Sequence, residues 1–220
     1  MTLYEEISRL QEIMQVDEMA YPVEFDFEEF RKIGSFAGRI KYAQSKLLGK
    51  VGRGSGRAVF RVDDEKVLKV AVNHLGVAQN EAETDWGTQE YDVVAKVFEF
   101  DPENTWLEME IAKKTTLPRF QEITGVPFRE LTQWLFYIDN YNDKMPREQQ
   151  DKMRGNEFVQ NLTMFIQDYG YPIPGDFIKP NTYGEVLRDG RPAIVVIDFG
   201  YNSNTSDVYQ AYKRKRIQRY

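Results

Sequence analysis

The chain has 220 residues, of which 41% are hydrophobic and 29% charged, and it carries a formal net charge of −6. This length can bury the core of one domain or of two closely packed lobes, and the negative charge argues against general nucleic-acid binding. Because there is no cysteine and His74 is the single histidine, disulfides, thiolate nucleophiles and histidine-rich metal sites are excluded, and a bound metal should be a hard ion such as magnesium.

The two ends of the sequence bear on location and partners. The first six residues lack the basic and apolar regions of a signal peptide, and no apolar run approaches the length of a membrane span. We therefore expect a cytoplasmic protein without a membrane partner. The basic tail at 213–219 is interpreted as a helix end whose cations complement the macrodipole; a nucleic-acid or membrane-surface patch is the alternative.

Two helices are predicted ahead of the first strands. Thr2 and Glu5 have the spacing of a capping box, and the face of this helix comprises Leu3, Ile7, Leu10 and Met14. A second helix is predicted from Asp26, with an apolar stripe of Phe30, Ile33, Ala37 and Ile40. Together they define an N-terminal helical extension over 1–45, which we expect to brace the rest of the chain; docking of a partner is the alternative.

The pattern changes to short strands from Leu47 onward. A helix is predicted over 77–91, and five strands are predicted over 47–51, 57–62, 66–72, 95–100 and 105–111. These elements predict a first lobe over 46–112, built on a five-stranded antiparallel sheet with one helix.

The second half is richer in helices. One helix is predicted to begin at Pro127 and another to run over 147–169. The pair Asp189-Gly190 predicts a β-hairpin with strands over 184–188 and 193–198, and a short final helix carries Val208, Tyr209 and Tyr212. Strands early and helices late predict an α+β fold with two lobes, of which the second, over 113–220, is mainly helical.

A glycine-rich segment separates the first two predicted strands. Glycines let backbone N–H groups approach phosphate oxygens closely, so the segment is a candidate phosphate loop; an ordinary hairpin turn is the alternative. It lacks the Gly-Lys-Ser/Thr ending of a Walker-type loop. The candidate residues are Gly52, Gly54, Ser55 and Gly56.

Lys69 lies inside an apolar strand, on the same face as Val67 and Ala71. An inward lysine needs an anionic partner, which Glu81 or Glu83 on the next helix can supply. Glu83 is preferred because it lies toward the apolar face of that helix. A solvent-facing lysine and a solvated helix face are the alternatives.

Three polar residues near the hairpin are candidates for metal binding and proton transfer. Asp198 ends an apolar strand, which is costly unless it binds a cation or, as the alternative, caps N–H groups. In the loop before the hairpin, Asp176 can accept the proton of an attacking hydroxyl and Asn181 can complete a magnesium shell. Lys179 between them can steady a transferred phosphate; a polar turn is the alternative.

The order of these motifs resembles the protein-kinase-like fold over about 47–204. The resemblance implies that 52–56 covers the phosphates, that Lys69 pairs with Glu83, and that Asp176 is the catalytic base. It also implies that Asn181 and Asp198, the latter in an Asp-Phe-Gly motif, bind the metal. Residues 106–112 resemble the strand and hinge of the family, with Met109 as gatekeeper and the backbones of Glu110 and Ala112 at the adenine.

Several positions depart from the kinase pattern. Arg57 stands where the loop's third glycine is expected, and the Gly-Asp pair at 175–176 is closer to the aminoglycoside and choline kinase-like branch. Only 20 residues follow Gly200, so we expect no peptide-binding helical subdomain of the protein-kinase type. Small kinase-like proteins of bacterial viruses show a similar truncation.

The sequence therefore predicts an enzyme, an ATP- and magnesium-dependent phosphotransferase whose acceptor is a protein or a small molecule. Nucleotidyl transfer on the same fold is a related possibility. The altered loops leave open a pseudokinase that binds nucleotide or a protein partner without transfer, and a structural protein that uses the fold only for interaction.

Overall fold

The computed structural model describes residues 22, 24–139, 144–171, 175–202, 205–208, 210–211 and 214. The predicted first helix and all of the basic tail except Arg214 lie outside the described residues. Within those residues, α-helices and two antiparallel sheets form an α+β fold, as the sequence predicts. No helix in the described segments is long and apolar enough to cross a membrane.

The first sheet has five antiparallel strands in the order β1-β2-β3-β5-β4. Asp63 closes the turn after β2, because its carboxylate accepts the N–H groups of Glu65 and Lys66 at 2.7 Å each. The strands are β1 (Lys50–Arg53), β2 (Arg57–Arg61), β3 (Lys66–Ala71), β4 (Val97–Phe100) and β5 (Trp106–Glu110).

Two helices cover one face of this sheet, where the sequence predicts a single apolar stripe. They are α1 (Phe27–Lys32) and α2 (Phe36–Lys46), and they are separate because Ile33 is extended and Ser35 caps α2. Their apolar side chains pack against the β3 face that carries Leu68 and Val70. The other β3 face, with Val67 and Lys69, is left to form the wall of a cavity.

The helix predicted over 77–91 is shorter and begins earlier. Helix α3 runs His74–Thr84 and is capped by Asn73, whose side chain accepts the N–H of Gly76. Asp85 then caps a separate 3-10 turn, Trp86–Glu90. The prediction of one continuous helix is wrong because this local aspartate cap competes with helix continuation.

Four helices with bounds within the described residues follow, together with a second sheet. The helix predicted over 147–169 is two helices, because Gly155 ends the first and Asn156 caps the second. The helices are α4 (Leu117–Thr124), α5 (Phe128–Ile138), α6 (Arg147–Arg154) and α7 (Glu157–Asp168), and the second sheet contains β6 (Lys113–Lys114), β7 (Tyr183–Arg188) and β8 (Arg191–Val196).

The turn between β7 and β8 is the one that its sequence predicts. Asp189 and Gly190 both have positive φ, 50° and 74°, as a two-residue hairpin turn requires. The helical residues 205–208 agree with the predicted last helix, whereas Tyr209 and Tyr212 lie outside the described residues.

One apolar core joins the first sheet, the late helices and the hairpin. Val67 and Met109 belong to it on the side of the first sheet, and Phe165 and Val195 belong to it on the other side. The segment before β4 reaches the hairpin directly, because Val196 donates its N–H to the Val93 carbonyl at 2.7 Å. The three predicted domains, 1–45, 46–112 and 113–220, stay a prediction.

Candidate functional site

A cavity of about 680 Å³ lies between the first sheet and the segments that flank the β7–β8 hairpin. This volume is in the range of small-molecule sites. Most of the residues singled out in the sequence line it: Gly52, Gly54, Ser55, Lys69, Met109, Glu110, Ala112, Asp176, Asn181 and Asp198. Two do not, namely Gly56 and Glu83, and both lie just behind the wall.

One end of the cavity is an apolar slot beside the strand β5 and the residues after it. Val59 and Val67 face it from the first sheet, and Ile197 faces it from the opposite side. Along its rim, the N–H of Glu110 donates to Lys96 and that of Ile111 to Glu65. Among the hydrogen bonds of the described residues, the N–H of Ala112 donates to none. The slot could therefore bind a flat aromatic ring of a ligand between its apolar walls, with one backbone N–H as hydrogen-bond donor.

Gly184 allows the hairpin to approach this rim. A Cβ at Gly184 would lie 2.5 Å from the Cβ of Ala112 and 3.3 Å from the carbonyl oxygen of Lys113. Any side chain at position 184 would push the rim residues out of place. The sequence analysis did not single out this glycine, and only the contact across the fold reveals its role.

The glycine-rich turn is anchored at one end and open at the other. Gly52 and Gly54 have free space where a Cβ would stand, whereas a Cβ on Gly56 would lie 3.0 Å from the backbone nitrogen of Gly76. Asn73 also binds the Ser55 carbonyl, at 2.9 Å. Gly56 thus packs against the start of α3, behind the cavity, and the open part of the turn precedes it.

Lys69 and Glu83 form the buried ion pair that the sequence predicts between β3 and the next helix. The Lys69 Nζ lies 2.8 Å from Glu83 Oε2 and donates a second hydrogen bond to the Ile197 carbonyl, at 2.9 Å. The other Glu83 oxygen accepts the N–H of Phe199 at 3.2 Å. This pair therefore fixes α3 to the segment that contains Asp198.

Arg57 is the residue of this cluster that the sequence analysis missed. Its Nη1 lies 2.7 Å from Glu83 Oε2, and its Nη2 donates to Asp198 Oδ1 at 2.7 Å. The side chain is buried, with the residue only 6% exposed. A signal was present, because Arg57 lies two positions before Val59, which pairs with Lys69 across the strands, so both cations share one sheet face.

The cluster favours the ionised forms of Glu83 and Arg57, whereas burial disfavours the charge of Lys69. Burial disfavours the Glu83 carboxylate, but the attraction of Arg57 and Lys69 outweighs burial and lowers its pKa. Burial likewise disfavours the Arg57 guanidinium, yet Glu83 and Asp198 keep its pKa above the usual value. For Lys69, burial is the larger effect and lowers the pKa, although Glu83 opposes it.

Asp198 faces the cavity, whereas the next residue, Phe199, is buried in the apolar core. The strand β8 ends at Val196, two residues earlier than predicted, and the Ile197 carbonyl that follows accepts a hydrogen bond from the Lys69 ammonium. The Asp198 side chain is 61% exposed and pairs with a cation, Arg57. Phe199 is buried, with its ring 5.7 Å from that of Phe165.

Asp176 faces the same cavity from a pair of short 3-10 turns, Gly175–Ile178 and Pro180–Thr182. Its carbonyl accepts the N–H of Lys179 at 2.9 Å and the hydroxyl of Thr182 at 2.7 Å, which fixes the backbone. Its carboxylate pairs with the Lys179 ammonium and is 42% exposed. Asn181 is exposed on the adjoining turn.

The donor set at this end of the cavity fits a magnesium ion shared with a ligand. Asp198 retains one carboxylate oxygen that does not pair with Arg57, and Asn181 adds an amide oxygen. No group of three or more acidic, histidine or cysteine side chains that could hold a metal occurs among the described residues. Magnesium typically binds through one or two carboxylates together with substrate phosphates, so Asp198 and Asn181 could hold the ion together with a phosphorylated ligand.

Comparisons with known proteins assign the chain to no family. No protein-family model matches the chain, and no curated protein matches it. Among solved structures, the chain is similar to SAICAR synthase from Saccharomyces cerevisiae in complex with SAICAR. The TM-score is 0.36 and the sequence identity 12%, over 69% of this chain and 72% of that one. A similarity at this level carries no argument about activity.

Proposed function

We propose that this protein is an ATP- and magnesium-dependent phosphotransferase with a bilobal protein-kinase-like fold. The observation that carries the proposal is the Lys69–Glu83 ion pair. Its lysine also donates a hydrogen bond to the carbonyl of Ile197, the residue directly before Asp198. This arrangement brings a cation and the carboxylate of Asp198, the candidate metal ligand, to one cavity, which Asp176 faces from another segment. The acceptor is a protein or a small molecule.

In this proposal the apolar slot binds the adenine of ATP, and the end of the cavity with Lys69 and Asp198 binds the triphosphate. The adenine would occupy the apolar slot beside Met109, accept the N–H of Ala112 and donate to the carbonyl of Glu110. The triphosphate would then run beneath Gly52 and Gly54 toward Lys69. Apolar walls with a few fixed polar groups are typical of such sites, and the order of the sheet with α3 behind it supports the kinase-like assignment.

The residues at the far end supply the groups that phosphoryl transfer needs. Asp198 and Asn181 would hold magnesium, which offsets the negative charge of the phosphates when bound. Asp176 would orient the acceptor hydroxyl and accept its proton, and Lys179 would release Asp176 to contact the transferred group. Positioning and electrostatic stabilisation account for most of the catalysis in this reaction class.

One observation favours a second candidate, a pseudokinase that binds nucleotide without transfer. Both carboxylates at the far end are already paired, Asp198 with Arg57 and Asp176 with Lys179. If the Lys179 pair persists when nucleotide binds, Asp176 cannot accept the acceptor's proton, and the Arg57 pair leaves Asp198 a single oxygen for a metal. The protein would then act through nucleotide or partner binding alone.

Incubation with γ-labelled ATP and magnesium tests both candidates. Label should move to an acceptor or to free phosphate with the wild type and be lost with Asp198→Asn. The matched control Asp92→Asn changes an exposed aspartate outside the cavity and should keep the activity. ATP binding without any movement of label would favour the pseudokinase. An absence of both binding and transfer would refute both.

A further inference from the structure

Arg57 changes the charge balance of the candidate site. The charge cluster contains three buried groups, Arg57, Lys69 and Glu83, and the mostly exposed Asp198, which makes two cations and two anions. Each partner lies within 2.8 Å of an opposite charge, so the four groups are neutral as a set. Without Arg57 the set would have a net charge of −1 and would rely on a divalent ion before it could accept a triphosphate.

The position of Arg57 is fixed from several sides. It is the first residue of β2, and its neighbour Gly56 packs against α3 and accepts the N–H of Val72 at 2.7 Å. Two carboxylates hold the guanidinium itself. Although largely buried, Arg57 lines the cavity beside Lys69. Its charge therefore acts on the cavity at close range and needs little rearrangement when an anion enters.

We propose that Arg57 is a built-in cation of the nucleotide site, so that ATP binding depends only weakly on a divalent metal. The inference rests on the proposed function, because it concerns the same cavity and the same ligand. A fixed guanidinium supplies part of the positive charge that a metal ion otherwise brings to the phosphates. Magnesium then serves mainly the transfer step, through Asp198 and Asn181.

The wild-type protein alone provides the first test. ATP affinity is measured by calorimetry, once with excess magnesium and once with EDTA. We expect the dissociation constant to rise by less than about tenfold in EDTA, which is the effect of one charge-assisted contact or less. A tenfold or larger rise overturns the inference even if ATP binds tightly with magnesium.

The variant Arg57→Gln provides the second test. It should raise the ratio of the dissociation constant in EDTA to that in magnesium by about tenfold, because the metal-free site loses a cation. With magnesium the loss should be smaller, since the freed Asp198 can bind the ion more strongly. An unchanged ratio of the two dissociation constants would overturn the inference.

Two further variants separate charge at this position from other effects. Arg61→Gln removes the same charge from the exposed end of the same strand, where Arg61 pairs with Asp64, and should leave the ratio unchanged. Arg57→Lys keeps the charge and should show a low ratio, as the wild type does. It provides the test if thermal unfolding shows that Arg57→Gln does not fold. A high ratio in the lysine variant would count against a charge effect.

The outcomes distinguish this inference from the proposed function. Binding of ATP that requires magnesium leaves the phosphotransferase proposal intact and removes only the role of Arg57. If ATP binds neither with magnesium nor with EDTA, both fail together.

Discussion

The substitution Glu83→Gln tests how strongly the buried charges around Glu83 stabilise the fold. Glu83 is fully buried and faces Arg57 Nη1 at 2.7 Å, Lys69 Nζ at 2.8 Å and the N–H of Phe199 at 3.2 Å. Glutamine keeps the shape of the side chain but removes its charge. Two buried cations would then share Asp198 as their remaining anion, and Asp198 is mostly exposed.

The expected loss of stability is large. Removing one partner of a buried ion pair costs about 3–5 kcal/mol, because the other charge stays buried without compensation. For a chain of this length, about 2–4 °C per kcal/mol gives a fall in Tm of about 6–20 °C. Thermal unfolding followed by circular dichroism, with urea unfolding alongside, measures both quantities.

The matched control for this experiment is Glu81→Gln. Glu81 lies two residues earlier on α3 and is exposed, so its substitution should change the free energy of unfolding by no more than about 0.5 kcal/mol. Equal stability of the two variants would refute the reasoning, because Glu83 would then behave as a surface residue.

Three further predictions concern pH and close backbone contacts. Burial raises the pKa of Glu83, but two neighbouring cations outweigh it and lower the pKa below the ordinary 4.5. The stabilisation is therefore complete above pH 4.5 and lost as the pH falls through the lower folded-state pKa, so acid titration of stability should be shallower in Glu83→Gln than in the wild type. Gly56→Ala should cost about 1–3 kcal/mol in urea unfolding because its Cβ overlaps α3, whereas Gly54→Ala, with open space, should cost less than 1 kcal/mol; equal costs would contradict this packing. Gly184→Ala should weaken ATP binding by displacing Ala112, and an unchanged dissociation constant would contradict the assigned rim.

The ion pair between Lys69 and Glu83 was predictable because each residue is specified by a local period. Alternation along the strand turns Lys69 away from Leu68 and Val70, and the apolar side of the next helix favours Glu83 over Glu81. Neither inference needs knowledge of the tertiary structure. The partners lie 14 residues apart and on adjacent elements.

The role of Arg57 was not predictable in the same way. Its partner Asp198 is 141 residues away, and nothing in either segment specifies the other. Strand alternation puts Arg57 on the face of Lys69, and its position departs from a glycine pattern, but neither signal points to Asp198. The contact appears when the fold brings β2, α3 and the end of the hairpin together.

The helix boundaries show a different kind of failure. The signals that end α6 and begin α7, Gly155 and Asn156, are local and readable, and Asn156 accepts the N–H of Val159 as a cap should. The apolar period of the long helix outweighed them in the prediction. Asp85 after α3 and Ser35 before α2 are caps of the same kind.

A crystal structure with a non-hydrolysable ATP analogue and magnesium tests the central claim most directly. We predict the adenine in the apolar slot with its ring nitrogen on the N–H of Ala112, and the triphosphate between Gly54 and Lys69 with the metal on Asp198. A nucleotide bound elsewhere on the protein, or bound here with its phosphates directed away from Lys69 and Asp198, would contradict the account.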